Sequence, residues 1–382
     1  HQLATKHLNE ARLRERLPLA NINLQSGRQN IFMRVLRKYG YSVGEMSADL
    51  HSSPVAGLNG YLNVNQLVAD SVLIDTVRLA LKSDADQIAY SVQVRNNKKN
   101  KQYVFNALFN GALHKKGASL TSRLYDGKGQ LGIGIDLAAS VEPNGMRLQI
   151  SDSTAILGYK TFHVNDSNYV YLSDDRRVSA NVKLRADDGT GMQVYTNDDN
   201  HDVLQDITVS LNSFDLEKVM SVIPYTPDMS GVMNGDFHVI QTKTDVSISS
   251  AISIKNLSYE KSLMGNVSTE FVYTPRTDGS HAIDGFLYSD GREVGTLSGI
   301  YDTKSGGLLN AKLGLNHMPL SMVNGFIPDH LIGFKGYAEG EIDVKGTMSR
   351  PQVNGEVLLD SAFMVSEAYG IELRFDDDPV RI

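Results

Sequence analysis

Gly231-Val-Met-Asn-Gly235-Asp-Phe-His-Val239 and Gly336-Tyr-Ala-Glu-Gly340-Glu-Ile-Asp-Val344 are one segment written twice, 105 residues apart. Each sets two glycines four apart and continues with apolar and polar residues in alternation, the period of a strand rather than of a helix. The likeness extends in both directions. Upstream, Leu211-Asn212-Ser213-Phe214-Asp215-Leu216 with Val219 and Ile223-Pro224 matches Leu315-Asn316-His317-Met318-Pro319-Leu320 with Val323 and Ile327-Pro328 at an offset of 104. Downstream, Ile248/Val353, Ile252/Val357 and Gly265/Gly370 keep the offset of 105. Each unit reads as a short apolar turn-like segment ending in Ile-Pro, a glycine pair, and several alternating strands. Such a unit has a single apolar face, and units stacked end to end bury it along a continuous sheet instead of closing separate cores.

Outward from the repeat, period-two alternation begins near residue 57, with Leu62/Val64, Val72/Ile74, Val77/Leu79 and Ile133/Ile135/Leu137. Asp126-Gly127, Asn144-Gly145, Asp188-Gly189, Asp278-Gly279 and Asp290-Gly291 punctuate these runs at the spacing of a long antiparallel meander. Strands do not alternate with amphipathic helices, which argues against a doubly wound α/β fold. Only the first 50 residues read as helical: Leu8, Ala11, Leu13 and Leu17 up to Pro18, then Ile31, Val35, Leu36 and Tyr39 up to Gly40, with Arg37 and Lys38 in the last turn. The expected organisation is a mixed helical lead-in over 1–50, a β section over 51–205, a repeat unit over 206–305 and a second, truncated unit over 306–382.

The 382 residues are 41% hydrophobic and 21% charged, the balance of a folded protein. This length calls for two or three domains or an elongated core, and the repeat favours the elongated form. Net charge is −7, against a general nucleic-acid binder, although residues 1–50 carry net +4. The absence of cysteine excludes disulfides, zinc ribbons and thiol catalysis. No run approaches the ~18 uncharged apolar residues of a spanning helix, and no signal-peptide pattern is present. The chain starts without methionine and ends in a strand-like Pro379-Val380-Arg381-Ile382, which reads as a section of a longer protein.

Local motifs point away from catalysis. Gly127-Lys128-Gly129-Gln130-Leu131-Gly132 has the spacing of a dinucleotide fingerprint, but Ile133, Ile135 and Leu137 continue as a strand where the phosphate site needs a helix, so a hairpin turn is expected. The ten histidines are dispersed without metal-ligand spacing. The acidic doublets Asp174-Asp175, Asp187-Asp188 and Asp198-Asp199 and the run Asp376-Asp377-Asp378 lack a calcium-loop pattern and read as solvated turns. Arg95 to Lys101 forms a basic tip without interleaved aromatics. No cofactor or metal is expected, and the chain is read as a non-enzyme. A glycan hydrolase would need two carboxylates close together in a cleft, and no local pair identifies itself.

The second unit continues Gly340-Glu-Ile-Asp-Val-Lys-Gly346-Thr-Met-Ser-Arg-Pro351-Gln-Val-Asn-Gly355-Glu-Val-Leu-Leu-Asp360 to Tyr369-Gly370. This resembles the TamB family within the AsmA-like group of bacterial envelope proteins, in which a Gly-x-x-x-Gly strand leads through Gly-Thr and a proline to a further glycine and a new strand. Met318-Pro319-Leu320 and Ile327-Pro328 fit that family's connecting segment. The earlier unit departs from the pattern, with Gln241-Thr242 in place of Gly346-Thr347 and no proline opposite Pro351. Pro54 to Leu58, Leu67 to Asp70 and Ile74-Asp75 resemble the family's mid-chain regions more loosely. The resemblance implies a mainly β chain, an elongated antiparallel sheet curled into an open apolar groove of the β-taco kind. It implies a periplasmic section of an inner-membrane-anchored protein that conducts phospholipid toward the outer membrane or assists outer-membrane protein assembly. The outer-membrane barrel partner, TamA-like, would bind outside this section, and the anchor is not recognisable here.

Physical chemistry accommodates that role. Exposing a sixteen-carbon chain to water costs roughly 13 kcal/mol, so a carrier between membranes must keep it covered. Repeated weak apolar positions do so without trapping the cargo. The expected lipid-facing residues are Phe237, Val239, Ile248, Ile252 and Ile254 in one unit and Ile342, Val344, Val353, Val357 and Leu359 in the other, with Glu341, Asp343 and Lys345 turned to solvent. Alternation alone reports a buried face and not its ligand. A closed β-sandwich or β-solenoid scaffold or adhesion protein would carry the same pattern, and openness of the face separates the two.

Overall fold

A computed structural model describes residues 15–84, 86–100, 103–197, 203–303, 307–327, 332–366, 369–376 and 378–381. The chain divides into two compact units, His1–Asp174 with Ser221–Thr226, and Asp175–Met220 with Pro227–Ile382. Both are mainly β and antiparallel.

The first unit runs β1 (Ala20–Ser26), α1 (Ile31–Lys38), β2 (Tyr41–Ser42), β3 (Glu45–Ser53), β4 (Gly57–Ala69), β5 (Val72–Ser83) and β6 (Gln87–Asn96). It continues through β7 (Phe105–His114), β8 (Gly117–Tyr125), β9 (Leu131–Glu142) and β10 (Gly145–Ile150) to the short β11 (Thr154–Leu157), β12 (Lys160–Val164) and β13 (Tyr169–Ser173). From β3 to β10 every strand pairs antiparallel with the next.

The lead-in differs from the helical expectation. Ile22 and Leu24 alternate with polar residues and pair with Leu50 and Ala48, so β1 and β3 enter the sheet. The α1 helix forms where its caps predict, with the Asn30 side chain accepting from the Met33 N–H at 2.9 Å and Gly40 following at φ 82°. Met33 is buried, 1% exposed, whereas Ile31 and Tyr39 of the expected stripe face solvent. Leu8, Ala11 and Leu13 lie outside the described residues, as does Pro328.

The second unit runs β14 (Val178–Arg185), β15 (Gly191–Thr196), β16 (Gln205–Asp215), α2 (Leu216–Met220), β17 (Met229–Gln241), β18 (Val246–Tyr259) and β19 (Ser262–Pro275). It continues through β20 (Ser280–Ser289), β21 (Arg292–Asp302), β22 (Leu308–Pro319), a 3-10 segment (Leu320–Phe326), β23 (Gly333–Thr347) and β24 (Arg350–Ser366), with β25 (Ile371–Arg374) and β26 (Val380–Arg381) along its edge. All five Asp-Gly and Asn-Gly signals sit at antiparallel hairpins. At β20–β21 the connection is only Asp290-Gly291, with φ of 48° and 78°, the two-residue turn whose twist matches that of its strands.

The repeat is visible in the backbone. Ser213 and His317, 104 residues apart, both adopt positive φ, 52° and 48°, at bulges of β16 and β22. Asn256 and Ser361, 105 apart, do so at bulges of β18 and β24, with φ of 52° and 50°. One extra residue at each bulge restores the parity that brings Phe214 opposite Met233 and Met318 opposite Ala338. The glycine pairs mark close backbone approach: a Cβ on Gly235 would stand 2.2 Å from the Ala251 carbonyl oxygen, and one on Gly340 2.3 Å from that of Glu356.

After β22 the 3-10 segment crosses the end of the sheet. Met322, 3% exposed, packs with Leu257, Val267 and Val294 of β18, β19 and β21, and Phe326 lies 5.0 Å from the Tyr259 ring. Burying such a side chain contributes about 2 kcal/mol.

Candidate functional site

In an antiparallel pair, residues directly opposite each other project on the same side of the sheet. Register therefore assigns faces strand by strand. Val239, Ile248, Tyr273, Ile283, Gly299, Ala311, Val344 and Val353 form one unbroken row of partners from β17 to β24. A second row runs Phe237, Ser250, Phe271, Gly285, Leu297, Leu313, Ile342, Gly355. A third places Ile252 and Val357 on the same side, through Gly235, Thr269, Leu287, Gly295, Leu315 and Gly340. Ile254 follows opposite Met233 and Val267, and Leu359 opposite Ala338. All ten residues expected from alternation share one face of the second unit.

The reverse side is mixed, mostly polar but with Val272, Phe286 and Ile300 exposed on it. Its row reads Thr208, His238, Ser249, Val272, Asp284, Ser298, Lys312, Asp343, Asn354. There Lys312 Nζ meets Glu341 Oε2 at 2.8 Å, and His238 Nε2 lies 2.7 Å from Asp206 Oδ1. The ten residues themselves are unevenly covered. Val357 is 6% exposed, beside the end capped by the 3-10 segment, whereas Phe237 and Val353 are 40% and 43% exposed.

A buried histidine also lies on this face. His281 projects on the same side as Tyr273 and Tyr301, opposite Pro275 and Tyr301 in register, and is 6% exposed. Its ring lies parallel to that of Tyr273, and neither nitrogen has a hydrogen-bond partner. Burial, reinforced by Tyr301, raises the Tyr273 phenol above its ordinary value.

The first unit has the same two-faced construction. Leu24, Ala48, Leu62, Leu79, Val92, Phe109, Ser122 and Ile135 make one row, and Asn23, Asp49, Tyr61, Ala80, Ser91, Asn110, Thr121 and Asp136 lie on the reverse. On that reverse side Arg123 grips Asp136 through two bonds, 2.6 and 3.0 Å, holding its carboxyl below the ordinary range. The segment 221–226 covers one end. Tyr225 donates to the Leu73 carbonyl and accepts from the Asn96 side chain, and rests edge-on against Tyr103 and Phe105. Burial pushes its phenol up. A Cβ on Gly132 would fall 2.3 Å from Val222, so this glycine makes room for the cap.

These polar anchors escape sequence reading. Asn96, 2% exposed, lies in the basic tip, and its amide ties together the Asp75 N–H, Leu73 and Tyr225. His281 looks like any dispersed histidine; its one signal is a polar residue at an inward strand parity. The glycine-rich Gly127 to Gly132 stretch forms the β8–β9 turn and the first residues of β9, the hairpin its flanking alternation predicts. Among the described residues no group of acidic or histidine side chains could hold a metal ion. Lys101, Asp198-Asp199 and Asp377 lie outside those residues. Among the described residues no helix is long and apolar enough to cross a membrane, which leaves strands unaddressed. The chain matches no family model, no curated protein and no solved structure.

Proposed function

We propose that this chain is a periplasmic section of a TamB-like envelope protein, whose sheets curl into an open apolar groove that shields phospholipid acyl chains between inner and outer membranes. The same surface would serve an unfolded outer-membrane strand, whose side chains also alternate apolar and polar. The observation that carries the reading is one of register: ten apolar positions predicted from two repeats fall on one face across β17 to β24. In this reading the groove's own ligand is lipid and its protein partner is an outer-membrane barrel of TamA type, with no role for nucleic acid.

The test is organic extraction of the purified protein followed by mass spectrometry, with a fluorescent acyl-chain probe titrated in parallel. Lipid above the level of a control protein, together with saturable probe binding, is the expected result. Absence of both would overturn the groove and favour a closed scaffold.

A further inference from the structure

We infer that α1 is an interfacial helix that docks the first unit on the surface of an anionic phospholipid bilayer. Ile31, Val35 and Tyr39 follow one another at intervals of four, so they form one stripe along α1 and its C-cap. They are 80%, 51% and 71% exposed, whereas Met33 is buried. Exposed Tyr41 follows in β2. The stripe lies on a helix beyond the sheet and is no part of the apolar rows.

Charge lies alongside it. Arg34 and Lys38 come three residues after Ile31 and Val35, which sets them on the neighbouring row of the helix. From Gly27 to Tyr41 the chain holds Arg28, Arg34, Arg37 and Lys38 and no carboxylate, in a protein of net charge −7. Arg28 donates to the Gln66 side chain and Arg37 to the Arg28 carbonyl. The exposed Arg34 and Lys38 side chains have no partner among the described residues.

Topology enlarges this basic end. Glu45, Asn65, Thr76 and Arg95 are successive cross-strand partners, so the connection after β6 emerges at the end of the sheet where α1 sits. It brings exposed Arg95, Lys98 and Lys99 to the same end. Of the carboxylates there, Asp70 lies against Gly40, Asp75 accepts from the Asn97 N–H, and Asp126 accepts from the Lys128 and Gln130 N–H groups.

The dimensions favour a bilayer over a protein. Three apolar side chains on a helix about 12 Å long cannot supply the ~800 Å² per partner of a standard protein interface. A bilayer surface needs no shape complementarity, and a basic helix with an apolar stripe satisfies both of its attractions, phosphate for the cations and acyl boundary for the stripe. So small a stripe anchors weakly, and both signals are required for binding.

The inference does not rest on the groove reading, and acyl-probe binding tests that reading separately. Vesicles of phosphatidylglycerol and phosphatidylethanolamine should carry the whole chain upward in a flotation gradient, phosphatidylcholine vesicles should not, and raised salt should release it. Arg34→Glu with Lys38→Glu, and separately Ile31→Ser with Val35→Ser, should each weaken vesicle binding at least about tenfold. Melting temperature and acyl-probe binding should stay unchanged, because all four side chains are exposed. The chain has no tryptophan, so Tyr39→Trp adds a single reporter whose emission should move to shorter wavelength on the anionic vesicles alone. Vesicle binding retained by both double variants, or a reporter that does not move, would overturn the inference. So would self-association in sedimentation velocity that Ile31→Ser with Val35→Ser abolishes, which would assign the stripe to a second copy of the chain.

Discussion

The imidazole of His281 lies flat against the phenol of Tyr273, centroids 4.6 Å apart and planes within 5° of parallel, with both ring nitrogens unpartnered on an otherwise apolar stretch. Stacking retains the ring while the missing hydrogen bonds oppose it. Because a buried polar group without a partner costs about 1–3 kcal/mol, His281→Phe should keep the stack and raise unfolding free energy by about 1–2 kcal/mol. Denaturant titration measures this, and a loss of stability in its place would show that the ring nitrogens are satisfied in solution.

Val344 and Asp343 separate the two sides of β23. Val344 pairs with Ala311 and Val353, Asp343 with Lys312 and Asn354. Val344→Asp should abolish acyl-probe binding at a stability cost below about 2 kcal/mol, since a carboxylate on an open face still reaches water. In a closed core the same change costs several kcal/mol. Asp343→Ala should alter neither. A large fall in melting temperature for Val344→Asp counts against the groove, and lost binding in Asp343→Ala reverses the faces.

Asp136 ties acid stability to the reverse face of the first unit. Its folded pKa is depressed, chiefly by the Arg123 hydrogen bonds, below the ordinary 3.8. The ion pair's contribution is therefore complete above that value and is lost as pH falls through the lower folded value. Asp136→Asn should cost about 1–2 kcal/mol at neutral pH and flatten this part of the stability profile below pH 4. Urea melts at pH 7 and pH 3 read both effects, and an equal loss at the two pH values would contradict the assignment.

Two glycines with positive φ should respond unequally to alanine. At Gly340, φ 151°, the new Cβ meets the Glu356 carbonyl oxygen at 2.3 Å, and at Gly291, φ 78°, it meets nothing within 4 Å. Gly340→Ala should therefore cost about 2 kcal/mol or more, against about 1 kcal/mol for Gly291→Ala. Similar losses in chemical denaturation would mean that close approach of β23 and β24 is not what requires glycine there.

What the amino-acid sequence determined by itself is local and periodic. Alternation at Phe237/Val239 and Ile342/Val344 assigns face membership because strand side chains leave on opposite sides with period two. Asp290-Gly291 specifies a tight hairpin because glycine and aspartate tolerate positive φ there. The offsets of 104 and 105 mark the repeat, and the bulges at Ser213 and His317 fall at the first of them. Tertiary structure decided whatever depends on neighbours distant in the chain. Helical periodicity at Ile31 and Val35 does not reveal that Met33 is buried while Ile31 and Val35 stay exposed, because which side of a helix is covered depends on residues outside it. Tyr225 reaches Leu73, 152 residues away, and His281 is isolated only because Tyr273, Pro275 and Tyr301 surround it on neighbouring strands. Ala118 and Ala139 read as ordinary small strand residues. Only their pairing across β8 and β9 sets two small residues side by side on the apolar face, because cross-strand neighbours are decided by register between strands and by no single residue.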